Sequence, residues 1–431
     1  MPPLERDILA HAVNERLDEI TWTHRARYSR AFRDSTPRSA PFAALIHLLE
    51  GSEFAPPDRL PGVVAAAAEA LGVTLTVHLV DYEQRCLHPL PPDDGAPALD
   101  VETTLAGRAY RQVRVLAAET PGRPRLWVPL VDGVERLGVL EVGVEDPEDL
   151  YDPGLRTQCR WSAMLIAHLV TLLDQYGDGV DRARLRRHRS VNAELIWSLL
   201  PPLTAGVDRF VVSGALEPRH GVSGDAFDYA LSETTATLIV LDAVGNDLRS
   251  GLITAAALAA HRSARHAGHG LVEQAAAIDR TIARQFGDTA SATAVLAELD
   301  LATGRLRYLN AGHPAPLVLR SGEVVKRLTA GRCPPLGQGV GEPRVAEVVL
   351  EPDDWLVLYT DGVTEAGGAR GEPFGEHGLA DFLRREATAG NPPPETARRL
   401  VKAVLDHHHG TLQDDATVLL ARWTSPDHVT R

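Results

Sequence analysis

A multidomain chain of mixed α and β structure (α/β, or more strictly α+β) is what the sequence predicts, on three observations. The chain has 431 residues, and single cores rarely keep growing beyond roughly 250–300 residues. Helical periodicity and period-2 alternation both recur through its first half. The second half holds four apolar strand-like runs, each carrying an aspartate where a turn begins: SGDAFDYAL, ATLIVLDAVGND, DWLVLYTDGVTEA and QDDATVLLARW.

Composition narrows the classes. About 44% of residues are apolar, and 44 basic against 58 acidic side chains leave a formal charge of −14. Such a balance disfavours polyanionic partners, so no nucleic-acid or anionic-membrane binding is expected. The three cysteines, Cys86, Cys159 and Cys333, are far apart and lack CxxC spacing, so neither a disulfide framework nor a zinc site is expected, and the usage fits a reducing cytoplasm. The first residues, MPPLERDILAHAV, are charged and do not read as a secretory signal. The longest apolar run, Trp161 to Leu173, is shorter than the roughly 20 residues a spanning helix needs.

Residues 1–40 read as a helical leader that breaks at DSTPRSAP. Residues 41–176 form a mixed unit. LPGVVAAAAEALG is an alanine-rich helix stopped by glycine, TLTVHLVDYEQRCLHPL two strands around a turn, and TTLAGRAYRQ a short helix. RLWVPLVDGVERLGVLEVGV is a hairpin turning at Asp132-Gly133, and LRTQCRWSAMLIAHLVTLLDQY a long amphipathic helix. The phrase TLAGRAY followed by VPL…LGVLEV resembles a GAF domain. The resemblance implies a sensor of an unknown small ligand, a regulatory role and a possible homodimer. Cys86 and His88 lie two residues apart in this unit and could suggest a chromophore or metal site, but a lone cysteine near a lone histidine reads as structural. Residues 177–200, with five arginines between Arg182 and Arg189, read as a linker helix. Its charges form a solvated face, and Val191, Leu195, Ile196, Leu199 and Leu200 recur at helical spacing.

Residues 201–431 carry the chemistry. Asp225 and Asp242 are equidistant from the centre of the polar turn Ser232–Thr235. A hairpin without a bulge then sets the two carboxylates opposite one another, with Cβ atoms about 5 Å apart. Like charges that close require a proton or a cation between them. Hard oxygen donors select Mg2+ or Mn2+ over zinc, and a pair of such ions can activate water for attack at phosphorus. The residues alone therefore point to metal-assisted phosphoester hydrolysis.

From about Leu199 onward, SLLPP, SGDAFDY, LDAVGND, ATAVLAELDLATGRLRYLNAGHPAPLVL, LYTDGVTEA and DDATVLL resemble the SpoIIE/RsbU-type branch of the metal-dependent PPM protein phosphatases. That resemblance implies an α-β-β-α sandwich binding two Mn2+ or Mg2+ ions. It makes Asp225, Asp242, Asp361 and Asp414 metal ligands and catalytic residues, with the Ala243 carbonyl as a further ligand. Asp415 would be a supporting acceptor, although the sequence leaves open which member of the Asp414-Asp415 pair coordinates. It also implies a phosphorylated STAS-type anti-sigma-factor antagonist as substrate, under control of the GAF-like unit. Asp247 replaces a glycine of the family pattern and reads as a helix cap. His313 in NAGHP reads as a strand-end turn, His407–His409 as a surface helix end, and 367–379 as a flap. Two rival functions stay open: a catalytically silent ligand-sensing scaffold, and a small-phosphoester hydrolase whose substrate would need basic residues such as Arg219, Arg249 and Arg370 near the metals.

Overall fold

The computed structural model describes residues 40–92, 97–120, 122–186, 188–218, 224–245, 247–287, 289–365, 372–408, 412 and 414–424. The predicted leader, apart from Ala40, lies outside the described residues, as does the 367–371 part of the predicted flap. No helix among the described residues is long and apolar enough to cross a membrane. The chain divides into two compact units between Leu185 and Arg186, with the short turn Gly133–Glu135 grouped with the second.

The N-terminal unit begins with helices α1 (Ala40–Ser52) and α2 (Leu60–Leu71), then strands β1 (Thr74–Val80), β2 (Cys86–Leu90) and β3 (Leu99–Asp100). Helix α3 (Leu105–Gln112), strands β4 (Leu116–Thr120), β5 (Arg123–Asp132) and β6 (Glu135–Gly143), and helices α4 (Pro153–Asp174) and α5 (Gly179–Arg184) complete it. The strands form one sheet in the order β3-β2-β1-β6-β5-β4. Alternation decides its two faces. Val77, Leu79, Leu126, Val128 and Leu140 pack with α1, α2 and α4, whereas Val80, Leu87, Trp127 and Val139 pack with α3. Local signals set the helix ends: Gly72 closes α2 in the left-handed region at φ 67°, and Asp152 caps α4 by accepting from the Leu155 N–H at 2.6 Å.

The predicted linker helix over 177–200 is two helices. Helix α5 ends at Arg184, residue 185 is extended, and α6 (Val191–Leu199) restarts at Ser190, whose hydroxyl accepts from the Ala193 N–H at 3.1 Å. The arginine run is not a uniformly solvated face either. Arg184 is buried, donates from Nε to the Val80 carbonyl at 3.1 Å and lies over the Tyr82 ring at 4.3 Å. Arg189 lies over Trp197 at 4.7 Å. Guanidinium stacking and a backbone acceptor hold these groups better than a shared solvated face would, and a cap then restarts the chain. Helix α6 belongs to the second unit's core: Ile196 is fully buried there, and Asn192 Nδ2 donates to the Asp247 carbonyl at 3.1 Å.

The C-terminal unit has two six-stranded sheets. Its first strands are β7 (Thr204–Val207), β8 (Phe210–Glu217), β9 (Asp225–Leu231) and β10 (Thr235–Ala243), followed by helices α7 (Leu248–His266) and α8 (Leu271–Phe286). Next come β11 (Ala292–Asp300), β12 (Arg305–Ala311), β13 (Leu317–Arg320), β14 (Glu323–Arg327), β15 (Arg332–Cys333), β16 (Ala346–Val349) and β17 (Trp355–Tyr359). The short helix α9 (Asp361–Thr364), helices α10 (Gly375–Thr388) and α11 (Pro393–His407), and strand β18 (Ala416–Trp423) end it. One sheet runs β15-β12-β11-β10-β9, with β16 also on β12; the other runs β14-β13-β17-β18-β8-β7. Phe227 and Leu238 of the first sheet share a core with Val212, Leu358 and Leu419 of the second. Helices α7 and α8 contribute Ile253, Leu258, Ile278 and Ile282 to that core, and α10 and α11 bury Leu379, Phe382, Leu400 and Val404 on the other sheet. The unit is thus the four-layer α-β-β-α sandwich expected from the sequence. Being covered on both faces makes β10 and β18 almost continuously apolar.

Candidate active site

The hairpin β9–β10 turns at Ser232–Thr235, where the Ser232 N–H donates to the Thr235 carbonyl at 2.9 Å. Its register is unbroken and pairs Asp242 with Asp225, as the spacing requires. The second sheet brings its acidic residues to the same place. Strand β17 ends at Tyr359, Thr360 and Asp361 follow, and Asp414-Asp415 immediately precede β18, which pairs with β17.

Side-chain hydrogen bonds tie the two sheets together here. The Thr360 and Thr417 hydroxyls donate to Asp225 Oδ2 at 2.8 and 2.7 Å. The Thr417 N–H donates to Thr360 Oγ1 at 3.0 Å, and the Thr360 N–H to the Thr417 carbonyl at 3.0 Å. Asp415 Oδ2 accepts from the Gly224 N–H at 2.8 Å, and the Ala243 N–H donates to the Gly224 carbonyl at 3.1 Å. Two glycines permit this closeness. A Cβ on Gly362 would lie 1.9 Å from the Asp415 carbonyl oxygen, and one on Gly224 would lie 2.7 Å from the Ala243 carbonyl oxygen.

The electrostatics are those of charge crowding. Asp225 is 2% exposed, and burial, then Asp242 and Asp415, hold its carboxyl well above the usual carboxylate range; the two threonine hydroxyls pull the other way. Burial, then Asp361, Asp414 and Asp415, push Asp242 up to about 7. Asp361 is raised by burial, Glu365 and Asp414. The contrast with Asp228, three residues along β9 and equally buried, is direct. Asp228 pairs with the Arg262 guanidinium at 2.9 and 3.0 Å and with Arg265 at 3.0 Å. Its charge is met by the protein, whereas the strongest charges acting on Asp225 are other carboxylates.

This donor set fits hard divalent cations: carboxylate oxygens and strand-end carbonyls, with no thiol or imidazole in the set. It is not a closed cage, for among the described residues no three of these carboxylates bring oxygens within 4.8 Å of one another. Ions that keep several of their waters suit such an open arrangement. Asp414 is exposed and its Oδ1 accepts from the Asp415 N–H at 2.9 Å, whereas Asp415 is buried with an oxygen committed to Gly224.

Several other expectations resolve locally. Asp247 caps α7, accepting from the Ser250 N–H at 3.1 Å. His313 is buried in the turn that Asn310 organises: Asn310 Oδ1 accepts from the His313 N–H at 2.9 Å and Nδ2 donates to the Pro314 carbonyl at 3.2 Å. Its Nδ1 lies 2.7 Å from the Thr293 hydroxyl, and burial pushes the imidazole down to about 3. His408, expected on the surface, is buried, and His407 packs edge-on against Phe374; His409 lies outside the described residues. Arg249 donates to the Phe286 carbonyl at 2.9 Å and lies 3.4 Å from Thr289 Oγ1. Arg219 and Arg370 lie outside the described residues. Sequence reasoning missed Thr360, Thr417 and Gly224, although the threonines stand beside the aspartates in YTDG and DDAT.

A family model described as Stage II sporulation protein E (SpoIIE) matches residues 232–424, a span that begins just after β9. Protein IcfG of Synechocystis sp. is 26% identical over 273 residues, covering 57% of this chain and 42% of its own length. The phosphoserine phosphatase RsbP of Bacillus subtilis is 30% identical over 150 residues, covering 33% of this chain and 37% of its own. This chain therefore spans about two fifths of the length of these curated relatives. Among solved structures, the SiaA-PP2C domain of Pseudomonas aeruginosa is 26% identical with a TM-score of 0.47, covering 54% of this chain and 94% of that one. On the family match and the similarity to RsbP, the C-terminal unit resembles SpoIIE-type phosphatase domains of the PPM kind.

Proposed function

We propose that the protein is a metal-dependent serine/threonine phosphatase acting on a phosphorylated signalling protein, and that Asp225, Asp242, Asp361, Asp414 and the Ala243 carbonyl hold two Mn2+ or Mg2+ ions. The observation that carries the reading is the convergence of carboxylates from the ends of two sheets, with Asp225 facing Asp242 in register. When bound, the ions supply neutralising charge and Lewis acidity for water and the phosphoryl group. The chain's own residues do the rest. Thr360 and Thr417 fix the orientation of Asp225, the Gly224 N–H fixes Asp415, and Asp414 keeps an outward carboxylate for coordination. Asp415 is then the supporting acceptor. Among the described residues no cysteine or serine stands as a nucleophile in this cluster, so direct attack by water is the reaction that the arrangement suits.

The partner reading follows from relatives. RsbP is by name a phosphoserine phosphatase, and the solved relatives include the RsbU and RsbW domains of one mycobacterial protein. A phosphorylated STAS-domain antagonist of an anti-sigma factor is the substrate proposed, with the N-terminal unit as a GAF-like sensor controlling turnover in the cytoplasm, as a homodimer. The test is phosphate release by the full chain with Mn2+, comparing a phosphoserine STAS-domain protein with a small aryl phosphate. Release from the protein substrate at roughly ten-fold or greater kcat/KM, a difference of about 1.4 kcal/mol, supports the reading. Turnover of the aryl phosphate alone would replace it with a small-phosphoester hydrolase, and silence on both with a scaffold.

A further inference from the structure

The turn between β1 and β2 gathers a second set of donors, of a different chemical kind. Asp81, Cys86 and His88 each offer a ligand atom, and these atoms lie within 4.8 Å of one another; it is the one such group of three among the described residues. The register explains how. Leu79 pairs with His88 and Val80 with Leu87, and the Asp81 N–H donates to the Cys86 carbonyl at 3.0 Å, so Asp81 and Cys86 are opposite each other two residues beyond Leu79 and His88. Residues 86 and 88 share a face because strands have period 2. All three side chains therefore leave the same face of the hairpin, the one from which Leu79 and Leu90 join the helical core.

Asp81 and His88 are nearly enclosed, with side chains 5% and 13% exposed and Asp81 Oδ2 3.6 Å from His88 Nε2. Two donors on a tetrahedral zinc ion stand about 3.3 Å apart, given metal–ligand bonds near 2.0–2.1 Å, so this pair is already close to its bound spacing. The Arg85 and Cys86 N–H groups donate to Asp81 at 2.7 and 3.0 Å and fix its carboxylate. Cys86 is half-buried, which leaves the corner accessible. Helix α5 holds the neighbouring Tyr82: its Asp181 accepts from the Tyr82 hydroxyl, and its Arg184 stacks on the same ring.

We propose that Asp81, Cys86 and His88 are a binding site for one borderline first-row divalent cation, of which Zn2+ is the type, with three protein donors and a fourth position left to water or a small ligand. The donor set favours that class: a thiolate and an imidazole reject Mg2+ and Ca2+. Charge balances too, since carboxylate, thiolate and neutral imidazole sum to −2 against the ion's +2. Cys86 gives up its thiol proton to solvent on binding, and His88 coordinates through Nε2 as the neutral ring. The third donor is what changes the reading of Cys86 and His88 from the structural one expected from sequence. This site is independent of the phosphatase reading.

The test is a titration of the metal-free full chain with Co2+ alone, read by the near-ultraviolet absorption of a cobalt–thiolate bond. The carboxylate cluster of the C-terminal unit holds no sulfur and cannot produce that band. Wild type, Asp361→Ala and Cys333→Ser are expected to show it, Zn2+ to abolish it, Cys86→Ser to lack it, and His88→Gln to require roughly ten-fold or more Co2+. No band in the wild-type chain, or a band that survives Cys86→Ser, overturns the proposal. The wild-type result stands whether or not a variant folds.

Discussion

In the β1–β2 hairpin, three donors of mixed kind come from the single stretch Asp81 to His88. In β9–β10, register supplies only Asp225 and Asp242; the hydroxyls that orient Asp225 come from Thr360 and Thr417, 135 and 192 residues further on, and Asp415 reaches Gly224 across 191. The first group needs only a folded hairpin. The second exists only when both sheets of the sandwich are in place, so its chemistry is a property of the tertiary fold. Donor type follows the same division. The local group mixes sulfur, nitrogen and oxygen, whereas the non-local one uses oxygen alone and concentrates like charge, which suits hydrated hard cations.

The largest break in that comparison should come from the non-local site. Asp361→Ala is expected to lower phosphate release by on the order of 100-fold or more, since loss of even an outer-shell partner of a metal commonly costs 10–100-fold. Its Co2+–thiolate band should be unchanged, and a loss of both together would mean that the two sites are not separable. Next, Gly362→Ala should destabilise the C-terminal unit by about 1–3 kcal/mol, the usual cost of forcing atoms into a packed site. The added Cβ would press on the Asp415 carbonyl oxygen. A melting temperature equal to wild type would show that the strand ends yield easily. Thr417→Val removes one hydroxyl from buried Asp225 and should weaken Mn2+ binding by roughly ten-fold, with Ser restoring it where Val does not. Mn2+ affinity equal to wild type in the Val variant would deny Thr417 a positioning role.

The smallest expected effect is a pH slope. Asp225, Asp242 and Asp361 all have carboxyls raised in the metal-free fold. The folded chain then holds protons that the unfolded chain releases near pH 4. Their stabilising contribution is complete below that pH and is lost as pH rises toward about 7, the value for Asp242. Denaturation of the metal-free chain at pH 5 and 7.5 should show the decline, and Asp242→Asn should flatten it. Saturating Mn2+ should reverse it by favouring the ionised carboxylates. A slope that Asp242→Asn leaves intact would assign it to other groups.

What the sequence made legible follows from the same division of local and long-range structure. The Asp225–Asp242 pairing was readable because a bulge-free hairpin is symmetric about its turn, and Ser232–Thr235 marks the centre. The four-layer sandwich came through motif resemblance, and so did the roles proposed for Asp361 and Asp414, since no local spacing relates residues on different sheets. The threonines on Asp225 and the Gly224–Asp415 bond were not legible, because they depend on how the end of β17 and the start of β18 meet β9. Periodicity over 177–200 suggested one helix, but it cannot register that Arg184 finds Val80 and Tyr82 or that Ser190 restarts the chain. At the β1–β2 corner, Cys86 and His88 were visible as a pair; Asp81 joined them only once the turn was seen to close in register.

The most direct test of the central claim is Mn2+-dependent phosphate release from a phosphoserine protein by the full chain, measured with and without chelator for wild type and Asp361→Ala. The account predicts release by wild type that requires the metal and falls by on the order of 100-fold or more with the substitution. Metal-independent release, or turnover by Asp361→Ala near that of wild type, would contradict it.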